Sequence, residues 1–310
     1  MNIREVFDRG DTILIEGALG VRLRGEYGVY PDPIVANASL VYEEKARAAM
    51  TEIYEQYIGI ADRYDFPIML MTPTRRANRY NVEKSSFGKE IIRDNVNFLK
   101  SLREDNFRKD IYIGALMGCK GDAYQATEVL SEKEAYEFHS WQAELFAKEQ
   151  VDFLYAGVMP AMPEIIGMAK AMGDTHIPYI ISFMVRNNGR LIDGTTINDA
   201  ILAVEETVRS KPLTYMANCI HPYNLDKALS REFNQTELVR RHFSGIQANA
   251  SPLSPEELDG SCEIITTDPI ELAQGMINLR DQYKLKIFGG CCGTNQFHME
   301  ELAKQLSKLR

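Results

Sequence analysis

No stretch of this chain is dense in Lys or Arg, and acidic residues outnumber basic ones by 44 to 35, for a net charge of −9. A phosphate backbone finds no cationic footprint here, which argues against nucleic acid as a partner. No apolar run is long enough to span a bilayer, so no membrane role is expected. The segment from Met1 to Arg9 alternates charged with apolar residues and lacks the continuous apolar stretch of a signal peptide. Cysteines are few and odd in number, five in all, at positions 119, 219, 262, 291 and 292. Without a secretory signal that count argues against a disulfide framework and fits reduced thiols in the cytoplasm. Low-complexity tracts, Gly/Ser linkers and breaks in composition are also missing, so residues 1–310 read as one domain.

What is present is an alternation. Eight short runs rich in β-branched and aromatic residues are separated by longer stretches of helical period. The first four are Ile13-Leu14-Ile15, Ile68 to Met71, Ile111 to Gly114 and Asp152 to Tyr155. Tyr179 to Phe183, Leu213 to Met216, Phe243 to Ile246 and Leu285 to Phe288 follow. Ser131 with Glu134, and Asp268-Pro269 with Glu271, mark helix starts, and Ala135, Phe138, Trp141 and Leu145 predict the inward stripe of the first of these helices. Tyr30 to Pro33 and Asn187 to Arg190 read as surface turns. The pattern suits a (β/α)8 barrel, although an open doubly wound sheet would produce a similar alternation.

The cysteines favour the barrel. Cys219 falls just after the sixth run and Cys291-Cys292 just after the eighth. In a barrel all parallel strands end at one rim, where distant residues converge. Three thiolates suit a catalytic zinc site, which keeps one coordination position open, whereas a structural site closes with four protein ligands. Gly289, Gly290 and Gly293 let the backbone bend closely around an ion. A helix beginning near Asn295 would add a positive dipole end beside the thiolates. No CxxC or HExxH signature is present. Spacing alone therefore leaves open that the pair is buried packing and Cys219 an unrelated core residue.

Gly289-Gly290-Cys291-Cys292-Gly293-Thr294, with Asn218-Cys219-Ile220-His221-Pro222, resembles the paired signature of the homocysteine S-methyltransferase family. Glu16-Gly17-Ala18-Leu19-Gly20 is similar to the family's first-strand motif, and Ile181 to Arg186 followed by Gly189 to Thr195 resembles its fifth-strand region. The resemblance covers nearly the whole chain. It implies a distorted (β/α)8 barrel that binds Zn2+ through Cys219, Cys291 and Cys292. It further implies transfer of a methyl group from an activated donor to a zinc-bound thiol, giving methionine where that thiol is homocysteine. Coordination favours the thiolate, so the protein needs no nucleophile of its own. The partners implied are a small thiol acceptor and a methyl donor, and an oligomer is compatible with this. Sulfonium, ammonium, folate and corrinoid donors all serve similar barrels, and the chain length favours a small sulfonium or ammonium donor.

Two positions depart from the family pattern. Glu16 stands where the family usually has Asp, keeping the charge on a longer arm. Gly157 stands where it usually has the acid that helps bind the amino group of homocysteine, which opens the way to a different acceptor. Asn218 reads equally as a substrate-orienting residue and as a cap for the strand end. His221 reads as a turn residue, Cys119 as a semi-buried loop thiol, and Cys262 as packing. Asp174-Thr175-His176 reads as a surface loop, and the Met69/Met71 and Met159/Met162 pairs as core filling. Thr72 to Arg76 reads either as a binding loop for donor or acceptor carboxylate or as a solvated loop.

Two other classes compete. A hydrolase using zinc-bound water is opposed by the poor Lewis acidity of a metal with three thiolates and by the lack of a conspicuous His or carboxylate base. A methyl-accepting subunit served by a separate corrinoid protein would respond to added carrier.

Overall fold

The computed structural model describes residues 1–106, 110–253 and 266–310. Eight parallel strands close into a barrel in chain order. They are β1 Ile13–Ile15, β2 Ile68–Met71, β3 Ile111–Gly118, β4 Phe153–Met159, β5 Tyr179–Phe183, β6 Thr214–Ile220, β7 Phe243–Ala248 and β8 Ile287–Gly290. All eight predicted runs are strands. Five of them, β3, β4, β6, β7 and β8, extend beyond their apolar runs into small and polar residues.

Side-chain alternation sorts the barrel into two layers. Ile13, Ile15, Met69, Tyr112, Phe153 and Ile180 are among the residues that fill the interior. Leu14, Leu70, Ile113, Leu154 and Ile181 point the other way, into the layer beneath the helices. The amino-terminal helix Ile3–Asp8 adds Ile3 and Val6 to the interior cluster, and Lys286 Nζ donates to its Phe7 carbonyl at 2.9 Å. This closes the amino-terminal end of the barrel and leaves the opposite rim for chemistry.

Helix Glu132–Lys148 starts on the Ser131/Glu134 capping box as expected, but its inward face is rotated from the predicted stripe. Ala135, His139, Gln142, Ala143 and Phe146 are buried, while Phe138, Trp141 and Leu145 are half-buried at the flank. Specific bonds explain the change, because His139 Nε2 meets Glu164 Oε1 at 3.0 Å and Gln142 Nε2 donates to the Thr74 carbonyl at 3.1 Å. Asp268 caps helix Pro269–Tyr283 by accepting from Ile270 N, without the return bond expected of Glu271. Among the described residues no helix is long and apolar enough to cross a membrane.

Candidate metal and thiol site

The glycine-rich turn after β8 is held from three sides. Gly290 passes so close to the first strand that a Cβ on it would lie 3.0 Å from Gly17 Cα, and Gly293 adopts φ +78°. Neither position has room or backbone freedom for an ordinary side chain. Thr294 Oγ1 donates to the Cys291 carbonyl at 2.7 Å and accepts from Ala18 N at 3.1 Å, tying the cysteine turn to the β1 loop. Cys291 N donates to the Ala248 carbonyl at 2.7 Å, and Ala250 N donates to the Cys292 carbonyl at 2.9 Å. Asn295 then caps helix Gln296–Ser307, the helix expected to begin there.

Cys219 lies within β6, where the sequence places it just after the strand. Its φ of +59° coincides with a register shift between Asn218 and Ile220. In a regular strand Cys219 would face away from Asn218, and the bulge redirects it towards the β8 turn. Val158 on β4 has φ +57° at a second register shift, between Ala156 and Met159. Asn218 joins the two irregular places, since its Oδ1 accepts from Val158 N at 2.9 Å and from Ser182 Oγ at 2.7 Å. Asn218 thus caps strand groups and also lines the cavity described below.

The three sulfurs of Cys219, Cys291 and Cys292 lie within 4.8 Å of one another. Hydrogen bonds from the Cys291 and Cys292 thiols hold Cys219 well below the ordinary thiol range. In return Cys291 is pushed well above it and Cys292 up to about 12. Three thiols this close, one buried and two half-buried, cannot all ionise without a cation, and a divalent metal of thiophilic character would supply the missing charge, so the donor set fits zinc. Sequence reasoning misses two residues beside them. Tyr124, kept protonated by burial and the adjacent sulfurs, has its Oη 3.2 Å from Cys219 Sγ. Asn249 Nδ2 donates to the same sulfur at 3.7 Å. Each sits in a segment with no motif or periodicity, and only the closed barrel brings them in.

Cys291 and Cys292 open onto a cavity of about 370 Å³, whose wall includes Glu16, Gly17, Leu116, Tyr155, Val158 and Asn218. Glu16 is buried and accepts from Met71 N at 3.0 Å; burial pushes its carboxyl up to about 8. Gly157 is on β4 with its missing side chain directed at the interior, where a Cβ would lie 2.7 Å from Leu116 Cδ1 and 3.2 Å from Tyr155 Cε1. Gly289 packs on Ile15 and Gly17 on Tyr57, where added Cβ atoms would meet those side chains at 2.6 Å.

The secondary candidates separate cleanly. His221 caps helix Pro222–Leu229 through its Nδ1, which accepts from Tyr223 N at 3.2 Å, and burial lowers its pKa to about 4. Cys119 is buried, its thiol pushed up to about 12 by burial. Thr72 and Thr74 are buried and Arg75 lines the cavity, so this segment is no solvated loop. Pro31, in a predicted surface turn, reaches the cavity mouth. The Met69/Met71 and Met159/Met162 pairs are buried. Cys262 lies outside the described residues.

A family model described as homocysteine S-methyltransferase matches residues 13–306. Among solved structures, the chain is similar to the homocysteine methyltransferase MmuM from Escherichia coli. The metallated form shares 18% identity at a TM-score of 0.78, over 98% of this chain and 99% of that one. The oxidized form shares 19% identity at a TM-score of 0.76, with the same coverage. The catalytic domain of a chitinase from Pyrococcus furiosus shares 9% identity at a TM-score of 0.53, over 95% of each chain. At such identities the likeness is one of fold. No curated protein matches the chain.

Proposed function

This chain belongs to the homocysteine S-methyltransferase family, and we propose that it moves a methyl group from a small sulfonium or ammonium donor to a thiol held at a zinc ion by Cys219, Cys291 and Cys292. In this reading residues 1–310 act as one barrel domain, in the cytoplasm. The observation that carries it is the convergence of three sulfurs within 4.8 Å beside a cavity of substrate size. Zinc bound there would favour the thiolate of an incoming acceptor, with three protein ligands leaving one position for it.

The chain's own residues do the rest. The bulge at Cys219 and the Gly290–Thr294 turn fix the sulfurs in place, and Tyr124 and Asn249 donate hydrogen bonds to Cys219 that draw off part of its charge. The apolar wall of Leu116, Val158 and Tyr155 excludes water from the reacting sulfur. In the transfer itself the acceptor sulfur's lone pair forms the new S–C bond while the donor's bond to the methyl carbon breaks. That electron pair leaves with the donor, and the thiol proton passes to solvent. Homocysteine is the default acceptor of the family, and Gly157 makes another thiol an alternative.

Metal-replete protein is expected to carry about one zinc per chain, the share that three thiolate ligands from one chain imply, and to methylate thiols from S-methylmethionine or S-adenosylmethionine. Cys219→Ala and Cys291→Ala should each lose zinc and activity while the circular dichroism spectrum is preserved. Absence of zinc by elemental analysis after metal-replete purification would overturn the reading. Activity that appears only with an added corrinoid protein would replace the small donor by a methylated carrier.

A further inference from the structure

The charges on the cavity wall are one-sided. Arg75, in the loop after β2, and Arg24, on helix Gly20–Tyr27, both line it, and among the described residues the single carboxylate there is Glu16. Arg75 makes no hydrogen bond or ion pair with another described residue, yet it is firmly seated. Thr74 Oγ1 donates to the Leu116 carbonyl at 2.8 Å, and Thr72 Oγ1 accepts from Leu116 N at 3.0 Å while meeting Thr74 Oγ1 at 2.7 Å. Gln142 from the helix layer donates to the Thr74 carbonyl at 3.1 Å, immediately before Arg75. The stem of Arg75 crosses Gly118 so closely that a Cβ there would lie 2.6 Å from its Cγ. Arg75 lines the same cavity as Cys291 and Cys292. A guanidinium built in this way, half-buried and without a counter-charge, is arranged to receive an anion.

We infer that the acceptor is a thiol carrying a carboxylate or similar anion and no charged amine, with Arg75 taking the anion while the sulfur occupies the metal site. The inference rests on the methyl-transfer reading above and specifies its substrate class. An ammonium group in the same cavity would lose its hydration facing Leu116, Val158 and Met71. Glu16 offers it little, because burial keeps that carboxyl largely protonated at neutral pH. Arg75 would meanwhile repel it.

Three thiols test this by calorimetry on the zinc-loaded full chain, without a donor. 3-Mercaptopropionate has the anion alone, cysteamine the amine alone, and homocysteine both. 3-Mercaptopropionate should bind at least about tenfold more tightly than the other two. Arg75→Met should weaken it by roughly ten- to a hundredfold, the scale of a charged hydrogen bond, and leave cysteamine within about twofold. Arg75→Lys should restore part of the loss, and zinc content should not change in either variant. Homocysteine binding as tightly as 3-mercaptopropionate, or Arg75→Met leaving 3-mercaptopropionate unaffected, would overturn the inference while the methyl-transfer reading stands. If no thiol binds, or if Cys291→Ala binds all three as the wild type does, the methyl-transfer reading itself fails.

Discussion

Glu16 shows what burial does to one group whose identity is plain in the sequence but whose state is not. Its folded carboxyl titrates near 8 against an ordinary value of 4.5, because desolvation outweighs the hydrogen bond from Met71 N. Between those two values the folded protein keeps a proton that the unfolded chain has lost. Stability therefore falls as pH rises through the window and levels off above it. Glu16→Gln keeps an oxygen acceptor for Met71 N and removes the titration. In urea unfolding of metal-free protein, the variant should gain on wild type steadily from pH 5 to pH 8. A difference between wild type and variant that stays flat over that range would show that Glu16 is already ionised in the fold. Gly157 is a simpler case, since the absence of an acid can be read directly, whereas Leu116 and Tyr155 filling that space cannot.

At the scale of elements, the strands were legible where β-branched and aromatic residues are dense. They were not legible where β3, β4 and β6 continue through small and polar residues such as Gly118, Gly157 and Asn218. The same strands hold the irregularities that matter. A period-two pattern has no mark for a bulge, so the turn of Cys219 towards its partners is invisible until Asn218 is seen bonding Val158 and Ser182. Helix Glu132–Lys148 fails for a related reason, because His139 and Gln142 are buried by specific polar bonds that override hydrophobic phase. Asn218→Ala would leave the Val158 amide and the Ser182 hydroxyl without their acceptor, at a cost of about 1–3 kcal/mol. It should also loosen the bulge and weaken zinc binding roughly tenfold or more in competition with a chelator. Unchanged unfolding free energy and zinc affinity would mean that the bulge at Cys219 forms without Asn218.

For the whole molecule, chain order alone makes the barrel rim a meeting place, and closure of β1 against β8 completes it. Spacing by itself leaves the cysteines open between metal binding and packing; the Gly-Gly-Cys-Cys-Gly-Thr segment implies metal binding by resemblance, and the folded chain brings the three sulfurs within 4.8 Å, close enough to share an ion. Tyr124, Asn249 and Arg75 join them from separate loops, which no one-dimensional pattern connects. The central claim is that these sulfurs hold one zinc ion with a position left for the acceptor. Zinc-edge X-ray absorption on the loaded protein, before and after addition of 3-mercaptopropionate and homocysteine in turn, tests it most directly. The account predicts three sulfurs near ~2.3 Å in the resting protein and a fourth when an accepted thiol is added. A resting count below three, or a count that stays at three with every thiol at saturation, would contradict it.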